Sequence, residues 1–334
     1  MVRGEAVMDL SIVVPVFNEE ESVGPLCEAL HGALAGLGRS YEVLLVDDGS
    51  VDATWDRLCA AADRYPHLRL IRFRRNFGQT AAMSAGFAHA RGEVVVTLDA
   101  DLQNDPRDIP LLLERMRPGV DVVSGWRRDR KDTFLNRRLP SMLANGLISR
   151  ITGVALHDYG CTLKAYRRDV IRNVPLYGEM HRFIPALARW VGGDVEEVVV
   201  THHARRYGRS KYGISRTLRV ILDLITVKFL LQYSTHPIQI FGRVGMAFLG
   251  LAALMLVAMV ADRSFGLFDP YLIKRPFWVI TPLMFVGFCL QFISMGLLAE
   301  VQIRTYHESQ GKPTYVIRET RDSGAAPAPG GPAA

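Results

Sequence analysis

The sequence predicts an α/β domain on a mostly parallel central sheet, followed by a membrane-associated C-terminal third. Three observations lead there. Short β-branched runs alternate with helical patterns through the first half of the chain, and polar motifs follow those runs. Beyond position 237 come two apolar stretches of about 20 residues each, the length that crosses a bilayer as a helix.

Taken in order, strands are expected at Ser11–Val16, Glu42–Val46, Leu68–Phe73, Glu93–Leu98 and Asp121–Ser124, with two more at Thr162–Tyr166 and Glu196–His202. Helices are expected near Glu20–Ala35, Ala53–Arg64, Thr80–Ala90 and Asp108–Arg117. Such alternation implies βαβ units with helices on both faces of the sheet. Between Gly213 and Tyr233, Leu218, Ile221, Leu222, Ile225 and Phe229 recur at helical spacing, while Arg216, Arg219, Asp223 and Lys228 fall elsewhere. This fits an amphipathic helix lying in a membrane interface, or one packed on the globular domain.

The apolar stretches run over 238–261 and 277–299. Gln239 and Arg243 sit near the entrance of the first, and Thr281, Pro282, Gln291 and Ser294 interrupt the second. A buried core helix competes for each, but two such runs joined by a short polar loop favour a transmembrane hairpin. Arg205, Arg206, Arg209, Lys211, Arg216 and Arg219 precede the first span, which agrees with the positive-inside tendency. No secretory signal precedes the first strand, so the catalytic part and both termini are expected in the cytosol, at the plasma (inner) membrane. The expected organisation is a cytosolic domain over 1–212, an interfacial helix over 213–236, a hairpin over 237–300, and a cytosolic arm over 301–334 whose Ala/Pro/Gly-rich end is disordered.

A formal charge of +6 suits a protein resting on anionic lipid. It does not argue for nucleic acid, because the basic residues cluster near the spans and near candidate phosphate loops. Cys27, Cys59, Cys161 and Cys289 show neither metal-ligand spacing nor a disulfide framework. They read as small buried hydrophobes in a reducing compartment.

The chemistry starts from Thr97-Leu98-Asp99-Ala100-Asp101-Leu102-Gln103, directly after the apolar run Val94-Val95-Val96. Residues i and i+2 of a strand share a face, so Asp99 and Asp101 could converge on one hard cation at the strand's carboxyl end. A cation held by two carboxylates completes its shell with water and phosphate oxygens, which points to a diphosphate. A lone Asp-x-Asp is also common in turns, where Asp bonds its own backbone. Two further strand ends are acidic: Phe17-Asn18-Glu19 after the first and Asp47-Asp48-Gly49-Ser50 after the second. Carboxylates there suit nucleobase and ribose donors rather than phosphate, while Asn18, Ser50 or Asp52 could equally cap the following helices. Arg74-Arg75-Asn76-Phe77-Gly78-Gln79-Thr80 reads as a strand-to-helix turn that lets backbone approach a ligand.

These pieces resemble the family 2 glycosyltransferases, which have a nucleotide-sugar-binding α/β fold called GT-A. Within them they resemble the polyprenyl-phosphate branch, which includes dolichol-phosphate mannose synthase and the bactoprenol glucosyltransferases. The resemblance rests on Val14-Pro15-Val16-Phe17-Asn18-Glu19, Val46-Asp47-Asp48-Gly49-Ser50, Asn76-Phe77-Gly78-Gln79 and Asp99-Ala100-Asp101-Leu102-Gln103. It continues through Ser124-Gly125-Trp126-Arg127, Tyr159-Gly160-Cys161-Thr162-Leu163-Lys164, His181-Arg182-Phe183-Ile184-Pro185 and Arg205-Arg206-Tyr207-Gly208-Arg209-Ser210-Lys211. Phe17 stands where Tyr is more usual, and Asn104-Asp105-Pro106 where many members have a simpler Asp-Pro.

The resemblance implies that Asp99, Asp101 and Gln103 hold Mg²⁺ or Mn²⁺ against a donor diphosphate. Pro15, Phe17, Glu19, Asp47 and Asp48 would line the nucleoside pocket, and Gln79, Arg205 and Lys211 would complete the nucleotide-sugar site. Arg127, Arg137 and Ser141 would hold the acceptor phosphate, although the basic residues there could instead form a solvated or lipid-facing surface. Asp101 and Arg127 would act in catalysis, with Asp158 as the base candidate or a positioning group, and Lys164 structural. The implied reaction moves one sugar from a nucleotide-diphosphate sugar, UDP favoured over GDP, to a polyprenyl phosphate in the bilayer, by an enzyme that assembles as a homotetramer. Two alternatives stay open: a processive polysaccharide synthase, and a non-catalytic binding partner of a flippase. The first is disfavoured because Ala186 stands where Gln-x-x-Arg-Trp needs its glutamine, ahead of Arg189-Trp190.

Overall fold

In the computed structural model, the described residues are 8–128, most of 145–204, 224–228, scattered positions between 280 and 305, and 313–323. The chain divides into two compact units, one of residues 1–227 with 313–334 and one of residues 228–312.

The first unit is an eight-stranded sheet. Its strands are β1 (Met8–Val16), β2 (Tyr41–Asp47), β3 (Leu68–Phe73), β4 (Gly92–Thr97), β5 (Val122–Trp126), β6 (Lys164–Arg167), β7 (Val195–Val199) and β8 (Ile317–Asp322). The helices are α1 (Val23–Leu34), α2 (Thr54–Arg64), α3 (Gln79–His89), α4 (Ile109–Arg115), α5 (Arg168–Arg172) and α6 (Ile184–Trp190). Spatial order is β7-β5-β6-β4-β1-β2-β3-β8. The β4-β1-β2-β3 block is parallel, as is β5 with β7, while β6 runs antiparallel to both β4 and β5. The sheet is therefore mostly parallel, as the β-branched runs predict.

β1 is apolar on both faces, as a strand covered on both sides must be. Leu10, Ile12, Val14 and Val16 join Leu26, Leu30 and Leu34 of α1 and Leu58 of α2 in one core. On the opposite face Val13 lies under α3, where a Cβ on Gly86 would stand 2.2 Å from Val13 Cγ1. Glycine there lets the helix lie directly on the strand.

The C-terminal arm holds an element the sequence does not announce. Ile317–Asp322 returns as β8, antiparallel to β3, at the edge of the sheet. Its charged sequence lacks the apolar run of a buried strand, and charge suits an edge. Arg69 pairs with Asp322 at 3.1 Å, Arg72 with Glu319 at 3.2 Å and Arg321 with Asp63 at 2.6 Å. The helix-capping alternative also changes. α1 starts after Ser22 and α2 after Ala53, neither of which caps with its side chain, although Asp52 Oδ1 accepts from Thr54 N.

Among the described residues no helix is long and apolar enough to cross a membrane. The expected span 238–261, most of 277–299 and most of the interfacial helix lie outside the described residues. The described positions between 280 and 305 are helical, and Ile280, Met284, Met295 and Leu298 expose their apolar side chains.

At the foot of the sheet Glu42 is buried and accepts from Ser11 Oγ at 2.6 Å, Arg69 Nη1 at 2.6 Å and Arg91 N at 2.7 Å. Removing it takes the short ion pair from a half-buried guanidinium, which keeps Asp322 and the His89 carbonyl, and leaves the Arg91 amide only its longer bond to Ser11 Oγ. Glu42→Ala should therefore lower unfolding stability by about 2–4 kcal/mol, read from the urea midpoint.

Candidate active site

In the parallel block β1 leads to β2 and β3 on one side and meets β4 on the other, so the strand order switches between β1 and β4. Ligands of open α/β sheets bind at such a switch, beyond the carboxyl ends of the strands. Four polar loops meet at that edge, after Val16, Asp47, Phe73 and Thr97.

The first two loops are stitched together. Asn18 N donates to Ser50 Oγ at 2.9 Å, Val51 N to Asn18 Oδ1 at 3.0 Å and Glu19 N to Thr54 Oγ1 at 2.8 Å. Asn18 reaches this by a left-handed φ of 52°, which Asn tolerates better than most residues. Pro15, Phe17 and Glu19 lie half-buried along the seam, and Glu19 accepts from Ser22 Oγ at 2.8 Å. Asp47 is buried: its Oδ1 accepts from Ser50 N at 3.0 Å, and its Oδ2 lies 3.4 Å from Arg72 Nε without a hydrogen bond. Burial pushes its carboxyl up, against the pull of Ser50 and Arg72.

Asp48 has a role that the motif does not reveal. Its Oδ1 accepts from Phe77 N at 2.7 Å and its Oδ2 from Gly78 N at 2.9 Å, so both oxygens hold the strand-to-helix turn. That turn was expected to offer its amides to a ligand; two of them face Asp48 instead. Burial outweighs these bonds and raises the carboxyl to about 6. The two loops meet so closely that a Cβ on Gly49, at φ 70°, would lie 2.3 Å from the Arg75 carbonyl carbon.

Beyond β4, Asp99 Oδ1 accepts from Gln79 Nε2 at 2.7 Å, so Gln79 steadies a member of the acidic pair. Burial first, and the charge of Asp101 second, push Asp99 up to about 6, while Thr162, Arg127 and Lys164 pull it down. Asp101 is buried and its Oδ1 accepts from Gln103 N at 3.1 Å, a bend made by Leu102 in a left-handed φ of 57°. Among the described residues no group of three or more His, Cys, Asp or Glu side chains converges. The charge of Asp101 disfavours that of Asp99, and two such carboxylates with Gln103 next in the loop fit a hard cation sharing its shell with phosphate oxygens and water. The loop continues into a second seam: His203 N donates to Gln103 O at 2.9 Å, and His203 Nε2 lies 2.9 Å from Asp105 Oδ2. Arg107 holds the Asp105 carboxyl far below the usual range.

Arg127 lies just past β5, within electrostatic range of Asp99. Its Nε donates to Asp158 Oδ2 at 2.7 Å and its Nη2 to Asp158 Oδ1 at 3.0 Å, and Gly160 N donates to the same Oδ1 at 3.1 Å. Burial disfavours the guanidinium charge, yet Asp158 holds it above its ordinary value. Both oxygens of Asp158 are thus engaged by donors of the protein itself. Lys164 is buried, its Nζ donating to Tyr159 O at 3.2 Å and to Cys161 O, while burial draws its own pKa down. His181 Nδ1 lies 2.9 Å from Thr80 Oγ1, and burial keeps its ring neutral with a pKa of about 3. Trp190 is exposed and Arg189 pairs with Asp194, as expected of surface residues. Arg137, Ser141, Arg205 and Lys211 lie outside the described residues. Sequence reasoning missed Glu197 and the His203–Asp105 seam, for which no local motif exists.

The sequence model described as "Glycosyl transferase family 2" matches residues 11–174. Dodecaprenyl-phosphate galacturonate synthase of Rhizobium johnstonii is 48% identical over 94% of this chain and 94% of its own. Undecaprenyl-phosphate 4-deoxy-4-formamido-L-arabinose transferase of Pseudomonas fluorescens is 40% identical over 96% of this chain and 93% of its own. Among solved structures, glucosyl-3-phosphoglycerate synthase of Mycobacterium tuberculosis, in complex with Mn²⁺, UDP and phosphoglyceric acid, superposes with a TM-score of 0.53 at 19% identity. That likeness covers 68% of this chain and 79% of the other, and it is one of fold.

The raised Asp99 carboxyl sets a pH test. A protonated carboxyl cannot serve as a ligand, so a cation must displace its proton. Mn²⁺ titrations in buffers of different ionisation heat should show about half a proton released at pH 6, approaching one at pH 5 and none at pH 8. Without the cation the raised pKa favours the fold at low pH, a contribution lost as pH rises through about 6.

Proposed function

Because the chain belongs to glycosyl transferase family 2, we propose that it moves a single sugar from a nucleotide-diphosphate sugar to a polyprenyl phosphate, with inversion. One observation carries the reading. The Asp99–Asp101 pair and the Arg127–Asp158 pair lie within electrostatic reach of each other at the switch edge, giving one pole for a cation and one for an anion.

In the reaction a phosphate oxygen of the acceptor attacks the anomeric carbon, the bond from that carbon to the donor diphosphate breaks, and the nucleoside diphosphate leaves. Asp99, Asp101 and Gln103 would hold a divalent cation, Mg²⁺ or Mn²⁺, which would supply positive charge to the leaving group. Asp47, Pro15, Phe17 and Glu19 seat the nucleoside, while Arg205 and Lys211 steady the diphosphate. Arg127, with Arg137 and Ser141, neutralises the incoming phosphate, whose charge of about −1.5 to −2 would otherwise be repelled by the donor. An ionised phosphate needs no base to become a nucleophile, which agrees with an Asp158 engaged by Arg127.

The reading places the enzyme at the plasma (inner) membrane, with the first unit and both termini cytosolic and the second unit in the bilayer as a hairpin. The apolar stretches and the exposed apolar side chains between 280 and 298 support this. Homotetramer assembly belongs to the proposal on family resemblance. The sugar is proposed to be a uronic acid carried on UDP, because the relative that makes a galacturonate lipid is 48% identical against 40% for the aminopentose transferase.

Purified protein, Mn²⁺, undecaprenyl phosphate and a panel of labelled nucleotide sugars test this. A single-sugar lipid with UDP-galacturonate as the preferred donor is expected; another donor corrects the sugar, a polymer reinstates the processive alternative, and no product with any donor rejects the enzyme reading. Asp101→Asn should cost about 100-fold or more in turnover while leaving the protein folded, and retained activity would refute the metal role.

A further inference from the structure

We propose that Glu197 is a positioning residue for the acceptor side of the site, acting through the backbone of His157 and Asp158 on the Asp158–Arg127 pair. The inference rests on the reading that Arg127 meets the acceptor phosphate.

Glu197 lies on β7, in register with Ser124 of β5, whose strand ends at Trp126, one residue before Arg127. Its side chain is 12% exposed. The carboxylate gathers donors from one short stretch of a neighbouring loop. His157 N donates at 3.0 and 3.1 Å to its two oxygens, Asp158 N donates at 3.1 Å, and His157 Nδ1 lies 2.7 Å away. A largely buried carboxylate is costly unless its lone pairs are filled, and here the loop fills them.

Lys164 treats the other end of the same loop in the opposite sense, collecting the carbonyls of Tyr159 and Cys161. An anion thus gathers N–H groups ahead of Asp158, and a cation gathers C=O groups behind it. The peptide bearing Asp158 is fixed from both sides. The His157 ring stacks on Trp126, with centroids 4.1 Å apart and planes 15° apart, next to the residue that Asp158 grips. The stack and the two-toothed carboxylate–guanidinium pair therefore tie the end of β5 to the loop, and Glu197 sets the loop. Misplacing a phosphate-orienting guanidinium by about 1 Å is worth up to about 100-fold in rate.

The test is a double-mutant cycle on the purified, full-length enzyme, read in kcat and KM for undecaprenyl phosphate and in Mn²⁺·UDP affinity. Glu197→Gln keeps the size but accepts from fewer donors, and should lower kcat/KM for the acceptor about 10- to 100-fold with Mn²⁺·UDP affinity unchanged. In an Asp158→Asn background the same change should add less than about twofold, because the route is already cut. Additive losses, wild-type kinetics, or a parallel fall in Mn²⁺·UDP affinity would each overturn the proposal. If Glu197→Gln fails to fold, His157→Phe decides: it keeps the stack and removes one donor, and a loss confined to the acceptor constants is expected, with no loss overturning the idea. Arg127→Ala separates the two readings. Unchanged acceptor constants in that variant would reject the role of Arg127 itself, whereas a loss there with none in the Glu197 variant would reject this inference alone.

Discussion

Like charge brought together at one sheet edge is the condition around which the site is organised. The charge of Asp101 makes the ionisation of Asp99 harder, and Thr162, Arg127 and Lys164 lean the other way. Gln79 adds an amide donor on Asp99 and the bend at Leu102 adds a backbone donor on Asp101. None of these neighbours cancels the pair outright, which leaves a net demand for positive charge of the kind a hard cation suits. The same accounting holds for the substrates, since a phosphate nucleophile must approach a diphosphate leaving group.

Seams between loops convert that electrostatic arrangement into fixed geometry. Asn18 with Ser50, Asp48 with the turn at Phe77 and Gly78, and His203 with Gln103 each join elements that are remote in sequence. The last seam places the approach to the basic segment: Ala204, the residue before Arg205, follows directly from a residue bonded to the metal motif. Side chains that were expected to touch ligands thereby divide into two groups. Asp48 and Gln79 shape the site through its walls, while Asp99, Asp101 and Arg127 present charge to it.

Much of this was legible beforehand, and the reasons differ by residue. β3 was readable to its bounds because Leu68, Leu70, Ile71 and Phe73 concentrate its apolar character between the polar stretches on either side. The Asp99–Asp101 pair could be singled out as a candidate because residue type, spacing and strand end all point to the same chemistry. The duty of Asp48 was not, since a carboxylate accepts equally from a nucleoside or from backbone amides, and sequence gives the acceptor without its donor. Glu197 sits in an ordinary strand pattern and acquires meaning only when β7 is laid beside β5. β8 was hidden because Ile317–Asp322 has the alternating charge of a solvated segment, and edge strands need no more.

That edge strand also constrains the topology of the part of the chain it closes. Because β8 is hydrogen-bonded to β3, the chain that leaves the first unit after residue 227 belongs to it again from residue 313. On the proposed reading that the intervening segment enters a bilayer, its crossings are even in number, since an odd number would put β8 and β3 on opposite faces of the membrane and break the ladder. On that reading the side on which β8 lies is set by backbone hydrogen bonds of the sheet, independently of how the basic residues are distributed among the loops.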